Sequence, residues 1–523
     1  MEFSLPFHGK PWRVETRKLL FFIGIITCAA FAVQIFLTPY ENVFRALFLV
    51  KNAPAGDSSL DIAVMDVFTP IYDSTMATPS ENYTETSNRA KVSHKSIKAM
   101  LAEMIPSSNR MKRTWMKMPP NRITSISAMS RLWLKNLGSS NSMKPKWSSE
   151  QDKELLAVKS EIENAPVIKD HKDLYAPIYR NLSTFTRSYE LMEEILKVYI
   201  YKEGKKPFFH DPVLEGVYAS EGWFMKQMEE NKRFVVQDPK KAHLFYLPFS
   251  SERIRYSSLF DRKIGNKTNM ITCLSDYLDI IKAKYPFWNR TGGADHFFTA
   301  CHDWAPIMTR PFMNRCIRAF CASDVNDDFV LGKDVALAET LVLSKRDLLK
   351  DIGGKPPSER RTLAFFAGNI HGYLRPILLK FWENKDPDMQ IYGKMNSTVT
   401  AKMNYIQRMK TSKYCISAKG YEVASPRVVE AIFFECVPVI ISDNYVPPFF
   451  EVLDWESFAV FVAEKDIPNL KDILLSIPEE KYIEMHKRVK KVQQHFLWHN
   501  EPVKYDIFHM TLHSFWYNRV FQV

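Results

Sequence analysis

Two glycine-bearing stretches of this 523-residue chain carry fixed charges where a strand should hand over to a helix. In Ala364-Phe365-Phe366-Ala367-Gly368-Asn369-Ile370-His371-Gly372-Tyr373-Leu374-Arg375, the glycines would let the backbone approach a ligand, the helix start would offer N–H groups to an anion, and Arg375 would add a guanidinium. Such a set suits a diphosphate and lacks a P-loop lysine; a tight turn before a helix would use the same residues. The second stretch runs from Lys413-Tyr414-Cys415-Ile416-Ser417 to Ser425-Pro426-Arg427-Val428-Val429-Glu430. Ser425 is expected to cap its helix and Pro426 to fill the first helical position. Glu430, one turn on, could accept both hydroxyls of a ribose while Arg427 faces phosphate; a capped helix with both charges solvated is the alternative.

Positioning these residues takes alternating strands and helices. Apolar periodicity predicts strand 362–366, helix 373–383, strand 390–393, helix 401–410, strand 413–417, helix 426–435 and strands 437–442 and 458–462. Strands joined by single helices need crossovers, so the expected sheet is parallel and doubly wound, with ligands at its carboxyl ends. Upstream, helices over 150–162, 188–196 and 269–284 and strands over 198–201, 233–236, 242–249, 295–299 and 317–322 predict a second α/β unit. Two such units facing each other leave a cleft, and a helical stretch over 469–498 could pack across both. The expected division is 149–345 for the first unit, 346–500 for the second and a tail over 501–523.

Composition agrees with a folded chain of two or three units: 46% hydrophobic, 13% aromatic and 25% charged residues exclude wholesale disorder. The formal charge is +12, and residues 89–147 hold 13 Lys or Arg against Glu103 alone, so 13 − 1 accounts for all of it. A nucleic-acid enzyme would carry that field on the folded part that does the chemistry. Here it lies in a stretch rich in Ser, Thr, Asn, Met and Lys, expected as a largely flexible stem over 39–148. A solvated tether, or attraction to an acidic polysaccharide or membrane surface, would explain its charge.

Before the stem, 19–37 is uncharged and as long as a membrane-spanning helix, with Pro39 beyond it. Lys10, Arg13, Arg17 and Lys18 precede it, which puts the 1–18 tail in the cytosol and makes 19–38 an uncleaved type II signal anchor. The rest of the chain would then lie in a lumen. Acceptor patterns for N-glycosylation at Asn82, Asn181, Asn266, Asn289 and Asn396 suit that address, as do the six cysteines beyond Cys28, sufficient for up to three disulfides. Apolar surroundings at Cys415 and Cys436 point instead to buried free thiols.

The run Ser417-Ala418-Lys419-Gly420-Tyr421 through Ser425-Pro426-Arg427-Val428-Val429-Glu430-Ala431, continuing as Cys436-Val437-Pro438-Val439-Ile440-Ile441-Ser442-Asp443, Pro448-Phe449 and Asp454-Trp455, resembles the exostosin-like glycosyltransferases. Plant cell-wall members are the nearest match, with a similar stem motif at Met118-Pro119-Pro120 and Ile123-Thr124-Ser125-Ile126; the resemblance covers about 175–500. It implies a GT-B fold of two Rossmann-like domains facing a cleft, inversion at the anomeric carbon, a Golgi membrane address and work on wall or matrix polysaccharide. It also implies a UDP-sugar donor held in the second domain, with contacts at Gly368, Asn369, Arg375, Ser425, Arg427 and Glu430, and a polysaccharide acceptor held in the first.

On the acceptor side stand Asp295-His296-Phe297-Phe298 and Ala300-Cys301-His302-Asp303-Trp304 at a strand end. Asp303, then His302, are the expected catalytic residues, taking the acceptor's proton; bracing of the loop by both is the other reading. In the loop Lys333-Asp334-Val335-Ala336-Leu337-Ala338-Glu339, Ala338 stands where family members often carry proline. Asp386-Pro387-Asp388 and Asp324 with Asp327 and Asp328 resemble metal-holding acidic pairs, but their positions suit solvation, so no metal and no cofactor beyond the donor is expected. Two other functions compete: a catalytically weak homologue that scaffolds partner transferases, and a glycoside hydrolase, which would need flanking carboxylates and no nucleotide site.

Overall fold

The computed structural model of the chain describes residues 119–120, 122–137, 145–257, 266–395 and 398–523, all within one compact unit, Thr69–Val523. The expected cytosolic tail, membrane anchor and most of the stem, with Asn82 and Asn396, lie outside the described residues. Among the described residues, no helix is long and apolar enough to cross a membrane.

Two five-stranded sheets, parallel throughout, carry the fold. The first comprises β1 (Val198–Ile200), β2 (Leu244–Tyr246), β3 (His296–Ala300), β4 (Ile317–Phe320) and β5 (Val335–Ala336), side by side in chain order. The second comprises β6 (Thr362–Ala367), β7 (Met389–Tyr392), β8 (Ser412–Ala418), β9 (Val437–Ile441) and β10 (Val460–Phe461), in the order β10-β9-β8-β6-β7. Their strands are runs of β-branched, aromatic and other apolar residues with almost every side chain buried, as expected of parallel strands covered on both faces. In the second sheet β7 and β8 pair with opposite edges of β6, so crossovers leave β6 in two directions. The gap this opens at the carboxyl ends of β6 and β8 is where open α/β sheets receive ligands.

Helix starts follow local chemistry. Ser149 and Asp152 form a reciprocal capping box at Glu150–Glu163, and Asn181 and Asp506 cap Leu182–Ile195 and Ile507–Phe521. Expected helices over 269–284, 373–383 and 401–410 are Asn266–Lys284, Leu374–Trp382 and Val399–Thr411. Ala219–Glu230 and Ala305–Met313 were not expected. The first is buried on most sides and has no clear apolar stripe, while the second holds Pro306 and Pro311, which read as breakers.

Four expectations need correction. Residues 233–236 form no strand, only a bridge from Val235 to Val198. The 501–523 segment contains the helix Ile507–Phe521, buried from end to end, which packs against the first sheet and the helices Glu150–Glu163, Leu182–Ile195 and Ala219–Glu230. Within the expected stem, Ile126–Leu137 is a docked helix: Arg122 O accepts from Asn326 Nδ2 at 2.7 Å and Asn444 Nδ2 at 3.1 Å, and Thr124 N–H donates to Asn444 Oδ1 at 2.7 Å. Asn326 follows the first sheet's β4 and Asn444 follows β9, so this segment grips both halves. Finally, Cys415 and Cys436 are joined in a disulfide, as are Cys301 and Cys321, because adjacent parallel strands bring each pair within reach. Cys273 and Cys316 remain thiols.

Candidate active site

The switch point between β6 and β8 gathers the residues expected to hold phosphate. Arg427 Nε donates to Ala367 O at 3.0 Å, at the end of β6. Arg375 Nη1 donates to Asn369 O at 3.0 Å and its Nε to Ala418 O at 3.3 Å, at the end of β8. Both guanidinium groups lie against the ring of Phe366, with Cζ 6.0 Å from its centroid for Arg375 and 5.5 Å for Arg427. The two helix starts therefore converge. Glycine is required at Gly372, whose φ is +68° and where a Cβ would stand 2.0 Å from Gly420 O, while a Cβ on Gly368 would stand 2.5 Å from Arg427 Nη2 and displace that guanidinium.

Ser425 and Pro426 open their helix much as expected: Pro426 already has helical dihedrals, and Ser425 Oγ accepts from Arg427 N–H at 3.5 Å. The same oxygen accepts from Arg427 Nη1 at 3.2 Å and so fixes the guanidinium. Glu430 is half-buried on the same helix and accepts from Tyr405 Oη at 2.7 Å. Burial raises its carboxyl above the usual range, against the pull of Arg427 and the Tyr405 hydrogen bond. At the mouth of the site the rings of His371 and Tyr421 stack 4.7 Å apart.

Across the cleft, the turn after β3 is held from below. Glu221, buried in Ala219–Glu230, accepts from Cys301 N–H at 2.9 Å and from Ser251 Oγ, which accepts in turn from His302 N–H at 3.1 Å. His302 Nδ1 accepts from Trp304 N–H at 3.0 Å, so its proton lies on Nε2. Burial, helped by Arg255, pushes this imidazole down to about 3, and in this tautomer neither nitrogen is open as an acceptor. Asp303 accepts from Tyr218 Oη at 3.2 Å. Tyr218 and Tyr256 pack their rings on His302 at 4.8 and 5.2 Å, and Arg255 lies 4.1 Å over Trp304.

Sequence reasoning missed two participants. Tyr405 comes from Val399–Thr411, whose pattern read only as a crossover helix. Glu339 follows the two-residue β5, too short to register as a strand, and was quoted only as part of a loop. Burial pushes its carboxyl up to about 8; Asp303 and Glu430 push the same way, Arg427 and Arg375 oppose them. Spacing carries no signal for such a residue, because its partners are assembled from both halves.

The acidic pairs make structural ion pairs. Asp386 and Asp388 meet Lys471 at 2.6 and 3.2 Å, while Asp327 and Asp328 meet Arg310 at 3.0 and 3.1 Å. Asp324 lies 3.9 Å from Lys419. Among the described residues, no group of three or more His, Cys, Asp or Glu could hold a metal ion.

Comparison with known proteins agrees with this geometry. The exostosin GT47 domain matches residues 192–477, which takes in nearly all of both sheets and every residue named around Phe366 and Asp303. A probable glycosyltransferase of Arabidopsis thaliana is 44% identical over 348 residues, and the match spans 66% of each chain, just under two thirds of that relative. A probable beta-1,4-xylosyltransferase of the same plant is 29% identical over 324 residues, 54% of this chain and 72% of the relative. A probable glucuronosyltransferase of Oryza sativa subsp. japonica is 28% identical over 361 residues, 61% of this chain and 80% of the relative. A family match over more than half the chain, on two parallel sheets whose arginines meet at a topological switch point, means that the chain belongs to the exostosin GT47 family of glycosyltransferases.

Proposed function

We propose that this chain is an inverting glycosyltransferase that moves a monosaccharide from a UDP-sugar to a cell-wall or matrix polysaccharide. The observation that carries the reading is the convergence of Arg375 and Arg427 on Phe366 beside Gly368 and Gly420. Two fixed guanidinium groups in a largely buried site favour a diphosphate and stabilise it further as it leaves with the bonding electrons, so positive charge is available there without a metal. Glu430, oriented by Tyr405, accepts the ribose hydroxyls, and Asn369 shapes the turn through its carbonyl. The acceptor hydroxyl enters from the Asp303 side and displaces the diphosphate in one step, which inverts the anomeric centre.

The same reading puts the catalytic part in the Golgi lumen, tethered by the apolar 19–38 stretch. Two disulfides and the exposed asparagines of two acceptor patterns, Asn181 and Asn289, support an oxidising secretory compartment. Relatives described as a xylosyltransferase and a glucuronosyltransferase favour a pentosyl or uronosyl donor.

The test is calorimetry with UDP and turnover of a UDP-sugar panel on wall polysaccharides, using the full chain in detergent. Wild type should bind UDP and turn over at least one donor, and Arg427→Ala should lose at least about tenfold in UDP affinity, as expected for a charge-assisted contact. Absence of UDP binding sinks the reading. UDP binding without transfer from any donor would favour a scaffolding homologue.

A further inference from the structure

Transfer to a hydroxyl requires a group that removes its proton on the face opposite the diphosphate. His302 has no acceptor nitrogen to spare, and Asp303 accepts from Tyr218. The extended stretch after β5 brings a second carboxyl to the same place. Ala338 and Thr340 are buried: Ala338 O accepts from Ser220 Oγ at 2.5 Å, and Thr340 Oγ1 accepts from Ser220 Oγ at 2.8 Å and from Trp498 Nε1 at 3.3 Å. Glu339, half-buried, lies between these two anchored residues, and Ser220 stands two residues from Tyr218, whose hydroxyl donates to Asp303. The electrostatic neighbours of Glu339 come from both halves of the molecule: Asp303 from the turn after β3, and Arg375, Arg427 and Glu430 from the second sheet. Tyr218, at the start of Ala219–Glu230, and Tyr445, beyond β9, also feel its charge.

Building on the transferase reading, we propose that Glu339, on the stretch that Ser220 ties to the helix start bearing Tyr218 and so to the Asp303 turn, is the catalytic base. Its carboxylate takes the proton of the acceptor hydroxyl as that oxygen bonds to the anomeric carbon. The bond from that carbon to the diphosphate oxygen breaks, and its electron pair leaves on the diphosphate beside Arg375 and Arg427. Asp303 is then a positioning residue: it orients Tyr218 and its charge makes Glu339 more basic. The upward shift of Glu339 fits this role, since a stronger base takes a hydroxyl proton more readily than an ordinary carboxylate, and a base that deprotonates near pH 8 gives a rate that climbs with pH toward that value.

The test measures UDP binding and UDP-sugar transfer on the same full-chain samples. Glu339→Gln should bind UDP within about twofold of wild type and lose transfer by about 100-fold or more, and formate should restore part of the turnover of Glu339→Ala. In Asp303→Asn the climbing limb of the pH profile should move to lower pH, because the negative neighbour that raises Glu339 is gone. A purely structural Glu339 would give neither formate rescue nor a moved limb. Transfer by Glu339→Gln within about threefold of wild type overturns the proposal. So does an Asp303→Asn limb that stays in place. Failure of the wild-type chain to bind UDP takes down the transferase reading itself, and the base with it.

Discussion

Around Phe366 single atoms decide which side chain can do what. Ser425 fixes Arg427, carbonyls of Ala367, Asn369 and Ala418 fix both arginines, and Tyr405 turns Glu430 toward the site. Removing only the Tyr405 hydroxyl leaves Glu430 in place with one oxygen unsatisfied, a loss of about 1 kcal/mol. Tyr405→Phe should therefore raise KM for the donor about fivefold and leave kcat nearly unchanged, read from initial rates at varied donor concentration. Gly368, Asn369, Arg375, Arg427 and Glu430 could be named as candidates from sequence because each lies within a turn of a strand-to-helix junction. Tyr405 and Glu339 could not, because they reach the site from elements that carry no motif of their own. The tautomer of His302 is not legible in the sequence, because the hydrogen bond that fixes it depends on how the turn to Trp304 closes.

Elements with strong periodicity or apolar runs were readable, and those held by partners were not. β6, β8 and β9 fall within two residues of the expected spans and β10 lies inside the expected 458–462, whereas β5 is a two-residue strand that exists because the longer β4 supplies its hydrogen bonds. The docked segment before the catalytic part belongs to the second kind. Ile126–Leu137 buries Met129, accepts from Arg180 Nη1 on Ser130 Oγ at 3.1 Å and stacks Trp133 on Tyr517, yet its sequence reads as basic stem. Cutting the chain before residue 138 should lower the unfolding temperature below that of a cut before residue 119, by about 1 °C for each kcal/mol lost in a unit of this size. Equal unfolding temperatures for the two truncations, by scanning calorimetry, would show that the segment contributes no stability.

At the scale of the whole molecule, burial sets the balance of charge. Asp152, Arg290, Asp295 and Arg519 form one buried network joining the helix Glu150–Glu163, the approach to β3 and the last helix of the chain. Removing one member strands its partners, so Arg519→Ala should destabilise by about 3–5 kcal/mol in urea unfolding. Burial also holds His302 and His513 down to about 3 and His486 and His495 to about 4. Between pH 6.5 and those values the unfolded chain binds protons that the folded one does not, so these groups lower stability as pH falls through that window. Glu252 and Glu464, pushed up to about 7, and Glu339, up to about 8, act in the other direction: the folded chain holds their protons longer, and that advantage disappears as pH rises through 7 to 8. The unfolding temperature should thus peak between about pH 6 and 7 and fall on both sides, measurable by scanning fluorimetry across buffers. By itself the sequence determined that this chain alternates strands and helices in two successive stretches, that its positive charge lies ahead of them, and that two strand-to-helix junctions bear arginines, since all of these are local patterns of residue type and period. Only the tertiary structure decided which cysteines pair, that the last helix returns to the first sheet, that part of the stem grips both halves, and that Ser220 ties the stretch bearing Glu339 to the helix beside Asp303. Those facts rest on contacts between residues far apart along the chain, whose closeness comes from burying shared apolar surface and leaves no period in the sequence.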